Sequence, residues 1–274
     1  MIIPFVIICR NRLSLLRNAL IFSKMASDQV YPVIADMGSE YPPLVKFLHQ
    51  IKYQEKVLFL DNLGPRKLWS HDDFISIVGS NPFFLSDGDI DYSQTNAEIF
   101  SKFKQISRKY PGFKKIGAAL KIDDLDKKSV KSKLIIENEK SNWDFRREIE
   151  KQIYLSPVDT VFAYYPKYST NLYFWPAVRV AGKFTVRHAP WYEVEGSRTE
   201  EQEFYALNAK WWGVKGVTSG EKIRLEQETK PEETKVFRYS KYIKFVLKYT
   251  PNFGSRFLSV LISISNHKAF VAPD

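Results

Sequence analysis

The stretch Pro82-Phe83-Phe84-Leu85-Ser86-Asp87-Gly88-Asp89-Ile90-Asp91 is an apolar run of strand character that ends in acids spaced two apart. A buried strand that delivers carboxylates to its carboxyl end presents hard oxygen ligands to a divalent cation and the phosphates bound to it. Asp87, Asp89 and Asp91 would share one side if the strand continued, and Gly88 lets the backbone turn and bring two of them onto one ion. The pattern points to metal-dependent nucleotide chemistry. A solvated turn accounts for the same residues with no chemistry at all, because Asp and Gly are turn formers.

Such a site needs a sheet behind it, and the first half of the chain supplies the pattern. Apolar runs predict strands at Pro4–Cys9, Tyr31–Ala35, Lys56–Leu60, Pro82–Leu85 and Lys115–Leu120. Helical periodicity predicts helices at Leu13–Met25, Leu44–Ile51, Arg66–Ile77 and Thr95–Arg108 between them. This alternation is that of an α/β fold with a mostly parallel, Rossmann-like sheet flanked by helices, with ligands at the carboxyl ends of the strands. Those ends read Arg10-Asn11-Arg12, Asp36-Met37-Gly38-Ser39, Asp61-Asn62-Leu63-Gly64-Pro65-Arg66-Lys67 and the Asp87 to Asp91 cluster.

Composition bounds the class. The 274 residues are 44% hydrophobic, enough for a sizeable core. Lys and Arg total 41 against 31 acids, a net charge of +10, so an anionic partner is expected: nucleic acid, a phosphorylated substrate or an anionic membrane surface. The single cysteine, Cys9, excludes an intrachain disulfide and suits a reducing compartment. The apolar amino terminus lacks a leading basic region and a small-residue cleavage site, so it reads as the first strand rather than a signal peptide. No apolar run reaches the length that spans a bilayer. A cytoplasmic protein is expected, either free or peripheral on the inner face of the membrane.

At the four strand ends the sequence resembles the family 2 glycosyltransferases of GT-A fold, a likeness confined to the first third of the chain. No GxGxxG or GxxxxGK[ST] phosphate loop follows strand one, as a generic nucleotide-binding sheet would show. The resemblance implies that Asn11 or Arg12 and Asp36 hold the base and ribose of a nucleotide-sugar donor, commonly a UDP-sugar. It implies further that Asn62 and Gly64 line the same pocket, with Arg66 or Lys67 near the diphosphate. Asp87 and Asp89 would bind Mn²⁺ or Mg²⁺, which neutralises charge on the departing diphosphate.

The second half departs from the usual family pattern. Trp143, in a charged stretch, and Trp191 and Tyr192, beside His188, offer flat faces on which acceptor sugar rings stack. Each also reads as an ordinary packed aromatic. The resemblance makes His188 a third metal ligand, and it places an inverting enzyme's general base at the start of a helix after the acceptor loop. Glu201 fits that position, with Glu200 beside it; Thr199 is the expected cap of the helix. Acids in a first helical turn are also favoured for stability alone. Asp123 and Asp124 follow a strand as well and form a second, lower-ranked acidic pair.

The expected organisation is a transferase domain over 1–212, divided into a nucleotide-sugar and metal half (1–121) and an acceptor half (122–212). A linker follows at 213–233, then a basic, aromatic, helical appendage at 234–274 that suits an anionic membrane. Partners are then a donor nucleotide-sugar and a saccharide or lipid-linked acceptor of surface polysaccharide assembly, with no nucleic acid. The competing readings are a nucleic-acid-binding α/β protein and a metal-dependent nucleotidyltransferase.

Overall fold

The computed structural model describes residues 1–62, 68–79, 81–158, 161–168, 176–194, 196–208, 210–211 and 214–215. Strand β1 (Ile3–Cys9) is buried along its whole length. A strand in the middle of a parallel sheet has no solvent face, which is why its sequence is continuously apolar rather than alternating. β2 (Val30–Met37) and β4 (Phe83–Ser86) flank it, both parallel to it, with Cys9 opposite Asp36 and Ile7 opposite Ser86. β3 (Lys56–Leu60) lies outside β2.

Beyond β4 the sheet continues through β9 (Phe162–Tyr165), β6 (Lys115–Ala118), β10 (Ala177–Val180), β8 (Ile153–Leu155) and β7 (Glu148–Glu150), nine strands among the described residues. β10 is parallel to β6, whereas β9 is antiparallel to both β4 and β6. Strands from both halves of the chain therefore share one sheet.

Alternate residues of β1 feed two cores. Phe5, Ile7 and Cys9 join the core under α1 (Leu13–Lys24), α2 (Pro42–Ile51) and α4 (Ile99–Lys109); Val6 and Ile8 join the one under α3 (Asp72–Val78). The result is an α/β/α sandwich of three layers. α1 shows the expected helical spacing, burying Leu13, Leu16, Ala19 and Leu20.

Three sequence expectations shift. α4 begins at Ile99 rather than Thr95, because the Asn96 side chain accepts from Glu98 N at 2.8 Å and holds an Asx turn just ahead of it. The helix expected at Arg66–Ile77 runs as α3 from Asp72 to Val78, with the His71 ring nitrogen accepting from Asp73 N at 3.3 Å. The charged stretch 122–154 forms α5 (Val130–Glu139) and the β7–β8 hairpin, whose strands are too short for alternation to register.

Gly64, Arg66 and Lys67 lie outside the described residues. So do the segment expected as an appendage at 234–274 and, apart from residues 214–215, the linker expected at 213–233. Among the described residues no helix is long and apolar enough to cross a membrane.

Candidate functional site

The chain steps outward from β1 to β2 to β3, then returns to place β4 on the other side of β1. The β1/β4 boundary is a topological switch point, the place in an open α/β sheet where ligands commonly bind. Gly88 sits in that divide. A Cβ there would lie 2.4 Å from the Ile8 carbonyl oxygen, so only glycine lets the loop after β4 press against the end of β1.

The loop carrying the acids is held from below. Asp87 N donates to Val161 O at 3.0 Å, the buried Tyr92 hydroxyl donates to Ser86 Oγ, and Tyr92 N donates to Asn18 Oδ1 of α1 at 2.6 Å. A two-stranded ribbon of β5 (Ile90–Asp91) and β11 (Arg187–His188) then brings the far half of the chain alongside. Ala189 N donates to Asp89 O at 2.9 Å. The consequence is a contact between residues 99 apart in sequence: His188 Nε2 lies 3.0 Å from Asp89 Oδ2. His188 and Asp89, assigned together from sequence, are adjacent, and Trp191 closes edge-on against the imidazole at 5.0 Å between centroids.

Arg12 lies beside this pair as a buried cation. Its Nη1 donates to Glu193 Oε1 at 2.6 Å and its guanidinium stacks 3.8 Å over the Tyr205 ring. Burial pulls the Arg12 pKa down, but the fields of Glu193, Tyr205 and Asp89 outweigh it and leave the group above its ordinary value. Burial and the Asp89 charge raise the Tyr205 pKa, so its hydroxyl stays a donor. Arg12 is a strut between β1 and the returning chain rather than an exposed ligand.

In the loop after β1, Asn11 is buried with φ of 53° and its Oδ1 accepts from Glu40 N at 2.7 Å and Tyr41 N at 3.0 Å, in the loop after β2. That side chain ties the loops after β1 and β2 together. Asp36 faces Ser39, which donates to it from both its amide and its hydroxyl. Burial raises the Asp36 pKa, against the Ser39 hydrogen bonds, the Cys9 thiol and the Arg10 charge. With its amide oxygen turned inward, Asn62 accepts from the Arg10 guanidinium at 3.2 and 3.3 Å. Gly38, at φ +67°, permits this approach: a Cβ there would lie 3.1 Å from Asn62 N. Arg10 is thus a partly buried cation between the ends of β2 and β3. Sequence reasoning gave it no role, although it directly follows β1 and the rule that selected Asn11 and Arg12 covers it equally.

The other expected acceptor groups are dispersed. The Tyr192 hydroxyl donates to Asp124 Oδ1 at 2.7 Å, and Arg187 pairs with the same carboxylate. Burial and that hydrogen bond hold the Tyr192 phenol well above its usual pKa. Burial works against ionising Asp124, but Tyr192 and Arg187 prevail and its pKa is lowered. Asp123 pairs with Lys121 at 2.8 Å. The second acidic pair is therefore committed to cations. Trp143 packs on Tyr154 of β8, at 6.1 Å between centroids.

α6 (Glu200–Asn208) opens with a reciprocal capping box: Gln202 N donates to Thr199 Oγ1 at 3.3 Å and Thr199 N to Gln202 Oε1 at 2.8 Å. Thr199 caps the helix as expected. Glu201 reaches a different helix. Its carboxylate accepts from Ser14 N at 3.0 Å and from Ser14 Oγ, in the first turn of α1. Arg12, at the N-cap of α1, makes no side-chain capping bond, so Glu201 supplies an acceptor for an orphan donor there. Glu200 is exposed. Phe204 packs on Tyr41 at 5.1 Å between centroids, completing the seam between α6 and the loop after β2. Glu193, Tyr205 and Ser14 act here without any local signal in the sequence, because each matters through a partner far along the chain.

Carboxylates and an imidazole are donors that suit Mn²⁺ or Mg²⁺. Asp89 and His188 already adjoin, with Asp87 two residues away. Among the described residues no three such groups converge as a preformed metal cage. The fit is therefore to an ion that takes further ligands from a bound diphosphate, as Mg²⁺-type ions commonly do. No protein-family model matches the chain, and no curated protein matches it in sequence.

Proposed function

We propose that this chain is a GT-A type glycosyltransferase that moves a sugar from a nucleotide-sugar donor, a UDP-sugar, to a glycan or lipid-linked saccharide in surface polysaccharide assembly. The observation that carries the reading is the Asp89–His188 contact at the β1/β4 switch point, with Arg10, Asp36 and Asn62 gathered at the neighbouring ends of β1, β2 and β3. An acidic strand end beside a cationic strand end accommodates a diphosphate with a counterion between them.

In this reading Asp36 and Asn62 face the nucleoside, and Arg10 offers its planar donors to the diphosphate. Asp87 and Asp89 would hold Mn²⁺ or Mg²⁺, with His188 beside them. That ion would supply neutralising charge for the leaving diphosphate. Trp191 packs edge-on against the imidazole and covers one side of it. Glu201 is the assigned general base of an inverting transfer, and to accept the acceptor's proton it must release the Ser14 donors it now caps. The basic aromatic segment 234–274 is assigned to an anionic membrane surface at the inner face of the cytoplasmic membrane.

The test is a thermal-shift panel of nucleotides and nucleotide-sugars with and without Mn²⁺, since a ligand at 100 times its Kd stabilises the native state by about 2.7 kcal/mol. Stabilisation by a uridine diphosphate compound that requires Mn²⁺ is the expected result. Indifference to every nucleotide would refute the assignment.

A further inference from the structure

On the other side of the β5–β11 ribbon from His188 lies a second feature of the same sheet edge. A cavity of about 130 Å³ is lined by Lys121, Lys183, Arg187, Thr95, Thr185 and Asp91. Lys121 follows β6, Lys183 and Thr185 follow β10, and Arg187 pairs with Asp91 across the ribbon. The cavity therefore opens on the carboxyl edge that carries the candidate site, separated from it by the ribbon. Arg187 and His188 are consecutive in a strand, so their side chains point to opposite faces.

Three cations and one carboxylate line this space. The carboxylate, Asp91, accepts from Ser93 N at 2.8 Å and Ser93 Oγ at 3.0 Å and keeps its charge, so the lining balances three cations against one carboxylate. Each cation has an acid partner outside the cavity lining: Asp123 for Lys121, Glu98 for Lys183 and Asp124 for Arg187. Asp123 and Glu98 are largely solvent-exposed, and exposed pairs of this kind hold weakly enough for a ligand anion to replace them. The volume is far below that of a nucleotide site, and about that of a few water molecules. It suits one oxyanion group.

The cavity also has a neighbour. Gln94 and Thr95 line both it and an open groove of about 540 Å³ whose other walls include Gln29, Ser93, Asn96 and Ser101. Amides and hydroxyls of that kind hydrogen-bond to sugar hydroxyls. We propose that the small cavity is an oxyanion pocket for a carboxylate or phosphate carried on a saccharide, with the rest of that saccharide lying in the groove. The identity of the saccharide as acceptor rests on the transferase reading; the anion preference does not.

The experiment is calorimetry on the full chain with three probes: a glucuronosyl-glucose disaccharide, the neutral glucosyl-glucose disaccharide of the same linkage, and glucose 6-phosphate. UDP with Mn²⁺ is titrated separately. The expected result is that at least one acidic probe binds about tenfold or more tightly than the neutral disaccharide, as charge-assisted hydrogen bonds allow. The two acidic arms report whether carboxylate or phosphate is the preferred group. The Lys121→Gln/Lys183→Gln double variant should lose that preference while keeping its unfolding midpoint and its UDP affinity. Equal binding of acidic and neutral probes, or a preference that survives in the double variant, would overturn the pocket. A preference that the double variant loses, with no UDP binding in either protein, would support the pocket and sink the transferase reading instead.

Discussion

Substituting Glu201 by glutamine and by alanine separates two jobs that one carboxylate is asked to do. As a cap of α1 it accepts from Ser14 N and Ser14 Oγ, and its charge faces the positive end of the helix dipole. Glutamine keeps an acceptor oxygen for Ser14 N and loses the charge, a cost of about 0.3–1 kcal/mol. Alanine loses both, about 1 kcal/mol for a missing cap and up to 2. For a chain of this size, 1 kcal/mol moves the unfolding midpoint by about 2–4 °C. Glu201→Gln should thus unfold within a few degrees of wild type, with Glu201→Ala below it.

The catalytic job has a different scale. Loss of a general base costs about 10² to 10⁴ in rate, so Glu201→Gln should transfer sugar at a hundredth of the native rate or less while binding donor normally. Glu200→Gln, at an exposed position one residue away, should be near native in both measurements. The assay is single-turnover transfer from a UDP-sugar beside a calorimetric melt and a donor titration. If Glu201→Gln kept the native rate yet lost stability as described, Glu201 would be a cap only, and the inverting mechanism built on it would fall.

Arg12→Ala should destabilise by about 3–5 kcal/mol, because it strands the Glu193 carboxylate and removes the stacking on Tyr205; chemical denaturation measures it, and a loss under 1 kcal/mol would contradict the strut. Gly88→Ala should cost about 1–3 kcal/mol and impair UDP binding together, since the added Cβ meets the Ile8 backbone; native affinity and midpoint would show that the close approach is dispensable. The raised Asp36 pKa means that the native state holds a proton the unfolded chain releases above about pH 4. Stability from this group is full below that pH and is lost as pH rises through the folded value, so midpoints of Asp36→Asn should decline less steeply with pH than wild type. Glu139, buried beside Arg179, carries a shift of the same sign, which is why the comparison is between the two proteins; parallel profiles would refute the Asp36 assignment.

The strands of the first half were legible because a doubly buried parallel strand writes itself as a continuous apolar run, as β1 and β4 do, and the edge strand β3 was short but still mostly apolar. The acids after β4 were legible through their spacing, and the structure brings one of them, Asp89, against His188. The ribbon of β5 and β11 was not, since two residues on each side carry no period, and its value lies in a pairing across nearly a hundred residues. Asn11 and Arg12 show the limit of reading a strand end as a site: their side chains turn to neighbouring loops, Asn11 to Tyr41 and Arg12 to Glu193. Arg10, which faces Asn62, is the neighbour that remains partly exposed. Glu201 was legible as a first-turn acid of its own helix, yet its hydrogen bonds go to another, which no helical periodicity encodes.

The proposed transferase site binds a nucleotide diphosphate at the β1/β4 switch point through a divalent ion held by the acids after β4. Calorimetric titration of UDP into wild type and Asp89→Asn, each with Mn²⁺ and with EDTA, tests it most directly. Mn²⁺-dependent binding in wild type and loss of that dependence in Asp89→Asn, with both proteins folded, is the expected result. Equal UDP affinity in all four titrations, or no binding in any, would contradict it.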